Sequence, residues 1–312
     1  MNGLLGLALA LKLLASFEVP PGTTVDGTPF GGVSGIDYDR RTGEWLMISD
    51  DRSDKARFFV GRLDGEGLRL TRPVRLRPEA DERPDAEALR IDPQTGDLLW
   101  TTEGDQPSGF DPALRRMGRD GAAKGTIPTP FSFKDGARPN LTYEGLSFSP
   151  DGRWLWLAME APRVQDGPVS TVAAGGLTWI TKLDRQGKVA AQYAYRLDPI
   201  QAAPAKRGDN GVSEILALDA HRLLVLERSG VEDAAGRFVY HCRLYVVDVR
   251  KPLQKRLMLN FDRLAGVPTA NLEAMAWGPV RDGRRTLMLM SDDNFDPAAP
   301  TRVVVLRVYR AQ

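Results

Sequence analysis

Cysteine and histidine are nearly missing from this chain of 312 residues, which has one cysteine, Cys242, and two histidines, His221 and His241. A lone cysteine excludes an intrachain disulfide and a cysteine-built metal site, while leaving either redox compartment open. Two histidines 20 positions apart give little material for paired-histidine zinc sites or repeated histidine acid–base chemistry. The GxSxG elbow, the GxxxxGK(S/T) loop, HExxH and a complete EF-hand loop are absent as well. Charge of one sign is also lacking: 42 Lys and Arg face 41 Asp and Glu, for a formal +1. Such a balance supplies no global field for nucleic acid or an anionic membrane, so partners must be sought in local charge. Nor is there a long apolar run. The first dozen residues, Met-Asn-Gly-Leu-Leu-Gly-Leu-Ala-Leu-Ala-Leu-Lys, supply about half of the ~20 residues a membrane span needs.

Residues 1–10 form a short apolar segment in which Ala8-Leu9-Ala10 has the small-x-small form of a signal-peptidase site, without a basic region before it. The simpler reading makes Leu11 to Val19 a strand; both hold if a shortened signal runs into that strand. The remaining composition, 42% hydrophobic and 27% charged, suits an ordinary globular protein of one large domain or two average ones.

What the chain has in place of catalytic signatures is repetition. Five segments share a hydrophobic strand, a turn and a second strand ending in acid, and four of them start on Glu, Ser34 being the exception. Ser34-Gly-Ile-Asp-Tyr leads to Trp45-Leu-Met-Ile-Ser-Asp50-Asp51, and Glu87-Ala-Leu-Arg-Ile leads to Leu98-Leu-Trp-Thr-Thr-Glu103. Glu144-Gly-Leu-Ser-Phe precedes Trp154-Leu-Trp-Leu-Ala-Met-Glu160. Glu214-Ile-Leu-Ala-Leu precedes Leu223-Leu-Val-Leu-Glu227, and Glu273-Ala-Met-Ala-Trp precedes Leu287-Met-Leu-Met-Ser-Asp292-Asp293. The starts are separated by 53, 57, 70 and 59 residues, a period suited to one four-stranded propeller blade. Turns such as Asp92-Pro-Gln-Thr-Gly96 make each unit a hairpin, and alternation of large apolar residues puts one face in a core. The position after each start is Gly35, Ala88, Gly145, Ile215 or Ala274, mostly small, as an inner strand near an axis requires. The fifth unit has one clear outer strand, Arg302 to Tyr309, and its missing partner is Leu11 to Val19. The expectation is an all-β chain, one propeller over residues 11–312 with five four-stranded blades, six being the alternative. The N-terminal strand joins the last blade and so removes exposed sheet edges.

In an antiparallel hairpin the start of the first strand and the end of the second lie together, so five blades bring the acids to one mouth. The candidate metal ligands are Asp50, Glu87, Glu103, Glu144, Glu160, Glu214, Glu227, Glu273 and Asp292. Two like charges ~6 Å apart repel by roughly 3 kcal/mol at an effective dielectric near 20, so the ring needs cations, protons or arginines. Oxygen-only ligands favour calcium over magnesium, and Asn140, Asn210 and Asn271 are nearby carbonyl donors. The competing reading has these acids accepting hydrogen bonds from neighbouring backbone and arginines. Arg52, Lys55, Arg57, Arg163 and Arg228 follow the terminal acids as candidates for binding a phosphorylated or carboxylated substrate; alternatively each pairs with an adjacent acid. Asp51 and Glu103 are the candidates for activating water toward phosphorus. His221, in a turn at the far end, and His241 are read as structural.

Gly31-Gly-Val-Ser-Gly-Ile-Asp-Tyr-Asp, Ile48-Ser-Asp-Asp-Arg-Ser53, Tyr143-Glu-Gly-Leu and Asn271-Leu-Glu-Ala-Met together resemble the phytase-like domain proteins, described as having esterase-like activity of phytase. The likeness runs from about Leu11 to the end and lies in the set of motifs rather than any one. It implies a propeller related to the β-propeller phytases, calcium-dependent phosphate monoesterases often exported by bacteria, so a periplasmic or secreted location is implied; the residues themselves leave the cytoplasm open. The catalytic residues of characterised phytases do not transfer position by position, because the matching motifs define the domain. The expected function is a calcium-dependent phosphoric ester hydrolase acting on a small anionic substrate. A calcium-dependent lactonase or carboxylic esterase, and a non-catalytic calcium-stabilised binding propeller, are the alternatives.

Overall fold

In the computed structural model, residues 9–53, 55–64, 67–79, 83–250 and 252–310 are described; residues 1–8 of the apolar segment lie outside them. Five four-stranded antiparallel sheets form a propeller, with a small extra hairpin. From the axis outward, blade 1 is Val33–Asp39, Glu44–Ser49, Arg57–Asp64 and Gly67–Arg75; blade 2 is Ala86–Ile91, Leu98–Thr102, Ala113–Met117 and Ala123–Ile127. Blade 3 is Tyr143–Phe148, Trp154–Met159, Leu177–Asp184 and Val189–Arg196; blade 4 is Gly211–Ala217, Arg222–Glu232, Phe238–Asp248 and Gln254–Asn260. Blade 5 is Leu272–Arg281, Arg284–Ser291, Thr301–Arg310 and, outermost, the N-terminal strand Leu9–Val19. That strand pairs with Thr301–Arg310 from Leu9↔Arg310 to Val19↔Thr301. The ring is closed within blade 5, and five is the blade number.

Alternation places the apolar side chains between blades. One buried cluster fills each junction, such as Met47, Phe59, Met288 and Val303 between blades 1 and 5 and Trp156, Ile180, Ile215 and Val225 between blades 3 and 4. Crowding near the axis explains the small residues: a Cβ on Gly35 would lie 2.4 Å from the Glu87 carbonyl oxygen.

Each innermost strand carries one residue more than its partner at the same place. The register shifts fall between Val33/Gly35, Ala86/Leu89, Tyr143/Gly145, Val212/Glu214 and Leu272/Ala274. Such a bulge re-aims a side chain out of the ladder. In blades 1, 3 and 5 the extra residue is Ser34, Glu144 or Glu273, but in blade 4 it is Ser213. The equivalence is visible in hydrogen bonding, since the Ser34 hydroxyl donates to the Ala86 carbonyl at 2.5 Å and the Ser213 hydroxyl to the Leu272 carbonyl at 3.2 Å, each on the next blade. The sequence-based alignment of blade 4 is therefore one residue out. Because side chains alternate along a strand, that single step reverses which ones face the mouth.

Glu214 accordingly occupies the small-residue layer and, with Arg90, fills the axis. Arg90 donates to carbonyls of Ile36 (2.8 Å), Leu89 (2.5 Å), Ile215 (3.2 Å) and Met275 (3.2 Å), and pairs with Glu214 at 2.6 Å. Glu214 also accepts from the N–H groups of Leu146 (3.0 Å) and Ile215 (2.8 Å). All five inner strands thus hold one buried ion pair. Burial, opposed by Arg90, pushes Glu214 up to about 7. Removing one partner of a buried pair strands the other charge, at a cost of about 3–5 kcal/mol. Glu214→Gln should therefore lower the urea midpoint strongly; an unchanged midpoint would show that the pair is not what ties the strands.

Candidate functional site

The bulges and the ends of the second strands deliver side chains to one mouth. Blade 1 supplies Asp50, blade 2 Glu87 and Glu103 with Asp85 just before the strand, blade 3 Glu144 and Glu160, and blade 5 Glu273 and Asp292. All are buried except Asp50, which is half-buried. Oxygens of Asp85, Glu87 and Glu103 lie within 4.8 Å of one another, as do those of Glu103, Glu144 and Glu160. Glu103 belongs to both groups and joins blades 2 and 3.

Blade 4 contributes the opposite charge. The equivalent of Glu160 there is Arg228, which pairs with Gly211 on the inner strand. Its guanidinium reaches Glu160 at 2.8 Å and Glu273 at 3.5 Å. At the rim, Arg52 bonds Asp85 at 2.7 Å and also Asn140. On the blade 5 side, the Asn271 amide donates to Glu273 at 3.0 Å and Asp292 at 3.2 Å.

Two arginines do not balance eight carboxylates. Burial, then repulsion by Glu273 and Asp85, pushes Asp50 up to about 8. Burial and Asp85 push Glu103 up to about 7, and burial pushes Asp85 up to about 6 despite Arg52. Burial raises Glu87, Glu144, Glu160 and Asp292 well above the usual carboxylate range. The donor set fits a hard divalent cation, being all oxygen. Asp50 Oδ1 and Asn271 Oδ1 are, moreover, buried without a hydrogen-bond partner.

Not every expected residue joins this group. Glu214 is at the axis. Glu227 lies on the opposite face of its strand, where it accepts from the Tyr195 hydroxyl (2.6 Å), the Asn210 amide (2.9 Å) and the Asp198 N–H (3.0 Å) and pairs with Lys255. Both displacements follow from the blade 4 register, and Asn210 goes with Glu227. Asp51 turns to Arg57 and accepts from the Ser53 N–H at 2.8 Å; against burial, these bonds hold its carboxyl below the usual range. Arg57 is buried on Asp51 and the Pro29 carbonyl. Arg163 forms a bidentate pair with Asp166 at 2.6 and 3.0 Å and covers Phe131. Lys55 is exposed and without an ion pair among the described residues. His241 is tied to Asp262 at 3.0 Å. Asp85 was not anticipated, because the repeat puts Gly32, Thr142, Gly211 and Asn271 at its position. Blade 4 was betrayed by Gly211-Val-Ser-Glu-Ile, which matches Gly32-Val-Ser-Gly-Ile of blade 1.

The family described as phytase-like, esterase-like activity of phytase, matches residues 28–295. The chain belongs to this phytase-like family. Membership fits a hydrolase-type propeller. No curated protein matches the chain. A GH43 β-1,3-galactosidase structure is similar with a TM-score of 0.55 and 13% identity, over 94% of this chain and 60% of that one, so the phytase-like chain spans about three fifths of its length. An endo-1,4-β-xylanase from Bacteroides thetaiotaomicron has a TM-score of 0.50 and 9% identity, over 88% of this chain and 90% of that one. At such identities the likeness shows the fold alone. Among the described residues no helix is long and apolar enough to cross a membrane.

The raised carboxyls have a consequence for metal-free protein. The folded state holds protons that the unfolded chain releases, so their contribution is complete below about pH 4 and is lost as pH rises through about 6 to 8. The urea midpoint measured in chelator should fall between pH 5 and pH 8, and calcium should reverse the trend because ligands bind deprotonated. A midpoint in chelator that holds steady or rises would contradict the crowding.

Proposed function

We propose that this phytase-like propeller is a metal-dependent hydrolase of small phosphate esters, with calcium held at the mouth. The observation that carries the reading is the convergence of carboxylates from blades 2 and 3 around Glu103, at a mouth where blades 1 and 5 add Asp50, Glu273 and Asp292, with Arg228 and Arg52 to offset them. Asp85, Glu87, Glu103, Glu144 and Glu160 are the residues that would hold the ion. A bound cation supplies Lewis-acid polarisation of the ester and lowers the cost of charge developing at phosphorus. Arg228, fixed by two carboxylates, orients an anionic group beside them, and Arg52 and Lys55 stand at the outer rim. Glu103 Oε1 accepts the Thr142 N–H, which leaves Oε2 to take a proton from the attacking water. Asp51, engaged by Arg57, is not given that role.

With Arg57 and Arg163 committed to internal pairs, free cations at the rim are few. This favours a singly phosphorylated ester over a multiply phosphorylated one such as phytate. The same scarcity supports the second reading, hydrolysis of a lactone or carboxylic ester, whose carbonyl a cation polarises equally well. The test is the initial rate with chelator-stripped protein, before and after calcium, on 4-nitrophenyl phosphate, phytate and a lactone. Calcium should restore phosphate release, and Glu144→Gln should lower kcat/KM by about 100-fold, the scale of losing one preorganised electrostatic stabiliser. Turnover of the lactone alone would move the assignment to the second reading. Folded, calcium-stabilised protein with no turnover would favour a binding propeller.

A further inference from the structure

The end of the axis opposite the mouth carries the reverse charge. Trp277 is four residues along the inner strand from Glu273, about 13 Å at the usual strand rise, and the blade 5 hairpin turns just beyond it, at Asp282-Gly283. That turn reads Arg281-Asp-Gly-Arg284-Arg285, and the corresponding turn of blade 1 reads Asp39-Arg40-Arg41-Thr-Gly-Glu44. The two blades touch at this level: a Cβ on Gly278 would lie 3.2 Å from the ring of Trp45, the residue after Glu44.

Every acid of these two turns is engaged elsewhere. Asp39 holds Arg119 at 2.8 Å and Arg41 at 3.8 Å, Glu44 holds Arg62 at 3.6 Å and Arg72 at 3.7 Å, and Asp282 holds Arg307 at 2.8 Å. Arg40, Arg281, Arg284 and Arg285 are left without an ion pair among the described residues. Arg281 and Arg284 face each other as cross-strand partners, an arrangement that repels. The base turns of blades 3 and 4 differ, since Arg153 is tied to Asp151 and Arg222 to Asp219, each at 2.7 Å. Of the four unpaired arginines only Arg285 is half-buried. Its guanidinium lies 3.8 Å from the centroid of the Trp277 ring, and the Trp277 indole N–H donates to the Ala217 carbonyl at 3.3 Å. A guanidinium stacked on an aromatic ring keeps its in-plane N–H donors for an oxyanion. Burial, then repulsion from Arg40, pulls Arg285 down to about 10, so it stays charged at neutral pH beside a second unpaired cation.

We propose that Arg285, held flat on Trp277, and Arg40 on the adjacent turn of blade 1 form an anion site at the base of the propeller, which takes a phosphoryl dianion, free or carried on a small ester. The mouth, at the other end of the axis, plays no part in it. Two guanidiniums match the two charges of a phosphoryl group, whereas a carboxylate would neutralise one of them. A long polyanion is disfavoured by the overall balance of 42 basic and 41 acidic residues, which confines the positive field to these turns. A bound anion offsets the burial of Arg285 and its repulsion by Arg40 together, and so stabilises the folded chain.

The test is calorimetric titration of inorganic phosphate, glycerol phosphate and acetate into the full chain in chelator, which keeps calcium from drawing phosphate to the mouth. Phosphate should bind about tenfold more tightly than acetate. Arg285→Gln and Arg40→Gln should each weaken phosphate binding about tenfold, the scale of a lost hydrogen bond to a charged group, while Arg153→Gln, in the already paired turn of blade 3, should leave it unchanged. Phosphate should also raise the urea midpoint of the wild type more than that of Arg40→Gln. Tighter binding of inorganic phosphate than of glycerol phosphate supports the site with the free ion as its occupant, and the reverse order supports it with a small ester. No phosphate binding by the folded wild type, equal affinity for acetate, or phosphate affinity that survives both Arg285→Gln and Arg40→Gln would overturn the proposal, whatever calcium-dependent hydrolysis shows.

Discussion

One extra residue in each inner strand determines what the propeller presents at its mouth. The bulge turns a side chain out of the ladder at the point where the second strand of the same blade ends, so each hairpin contributes two groups to a narrow ring. Where those groups are carboxylates, as in blades 2, 3 and 5, proximity is imposed by the sheet and cannot be relaxed by rotamers alone. The raised carboxyls of Asp50, Glu103 and Asp85 are the electrostatic result. Neutralisation must come from protons, from arginine or from a bound cation, and the all-oxygen donor set is one that could hold a hard cation.

Blade 4 breaks the pattern in a way that serves both ends of the axis. At the mouth it presents Ser213 and Arg228 in place of two acids, which puts a fixed positive charge between Glu160 and Glu273. One layer below, where the other blades have glycine or alanine, it presents Glu214 to Arg90. Its second and third strands, Arg222–Glu232 and Phe238–Asp248, continue outward as a hairpin arm that carries Tyr240 and Phe238. A single blade therefore sets the axial pin, the charge asymmetry of the ring and the wall above it.

Much of the fold was legible because it depends on short-range regularities. Turn residues, alternation and near-constant hairpin lengths reveal five units, and the unpaired final strand reveals closure. The slip in blade 4 arose because Glu214 was matched to the glutamates of other blades, although its separation of 13 from Glu227 departs from the 16 in the first three units. Moving to Ser213 and Arg228 brings the separation to 15, close to that 16, and recovers the Gly-Val-Ser likeness to blade 1. With a two-residue period, that step is enough to exchange mouth for axis and to send Glu227 to Lys255. The pairing of Asp51 with Arg57 is local and lay within reach of the sequence. The roles of Asp85 and Arg90 depend on contacts between blades, for which the repeat carries no signal.

The central claim is that separate blades build one cation site, and calcium titration by calorimetry into chelator-stripped protein tests it most directly. Glu144→Gln from blade 3 and Glu87→Gln from blade 2 should each weaken calcium binding, while Glu227→Gln, on the opposite face of blade 4, should leave the affinity of the folded protein unchanged. Equal loss from Glu227→Gln, or no loss from the other two, would contradict the account.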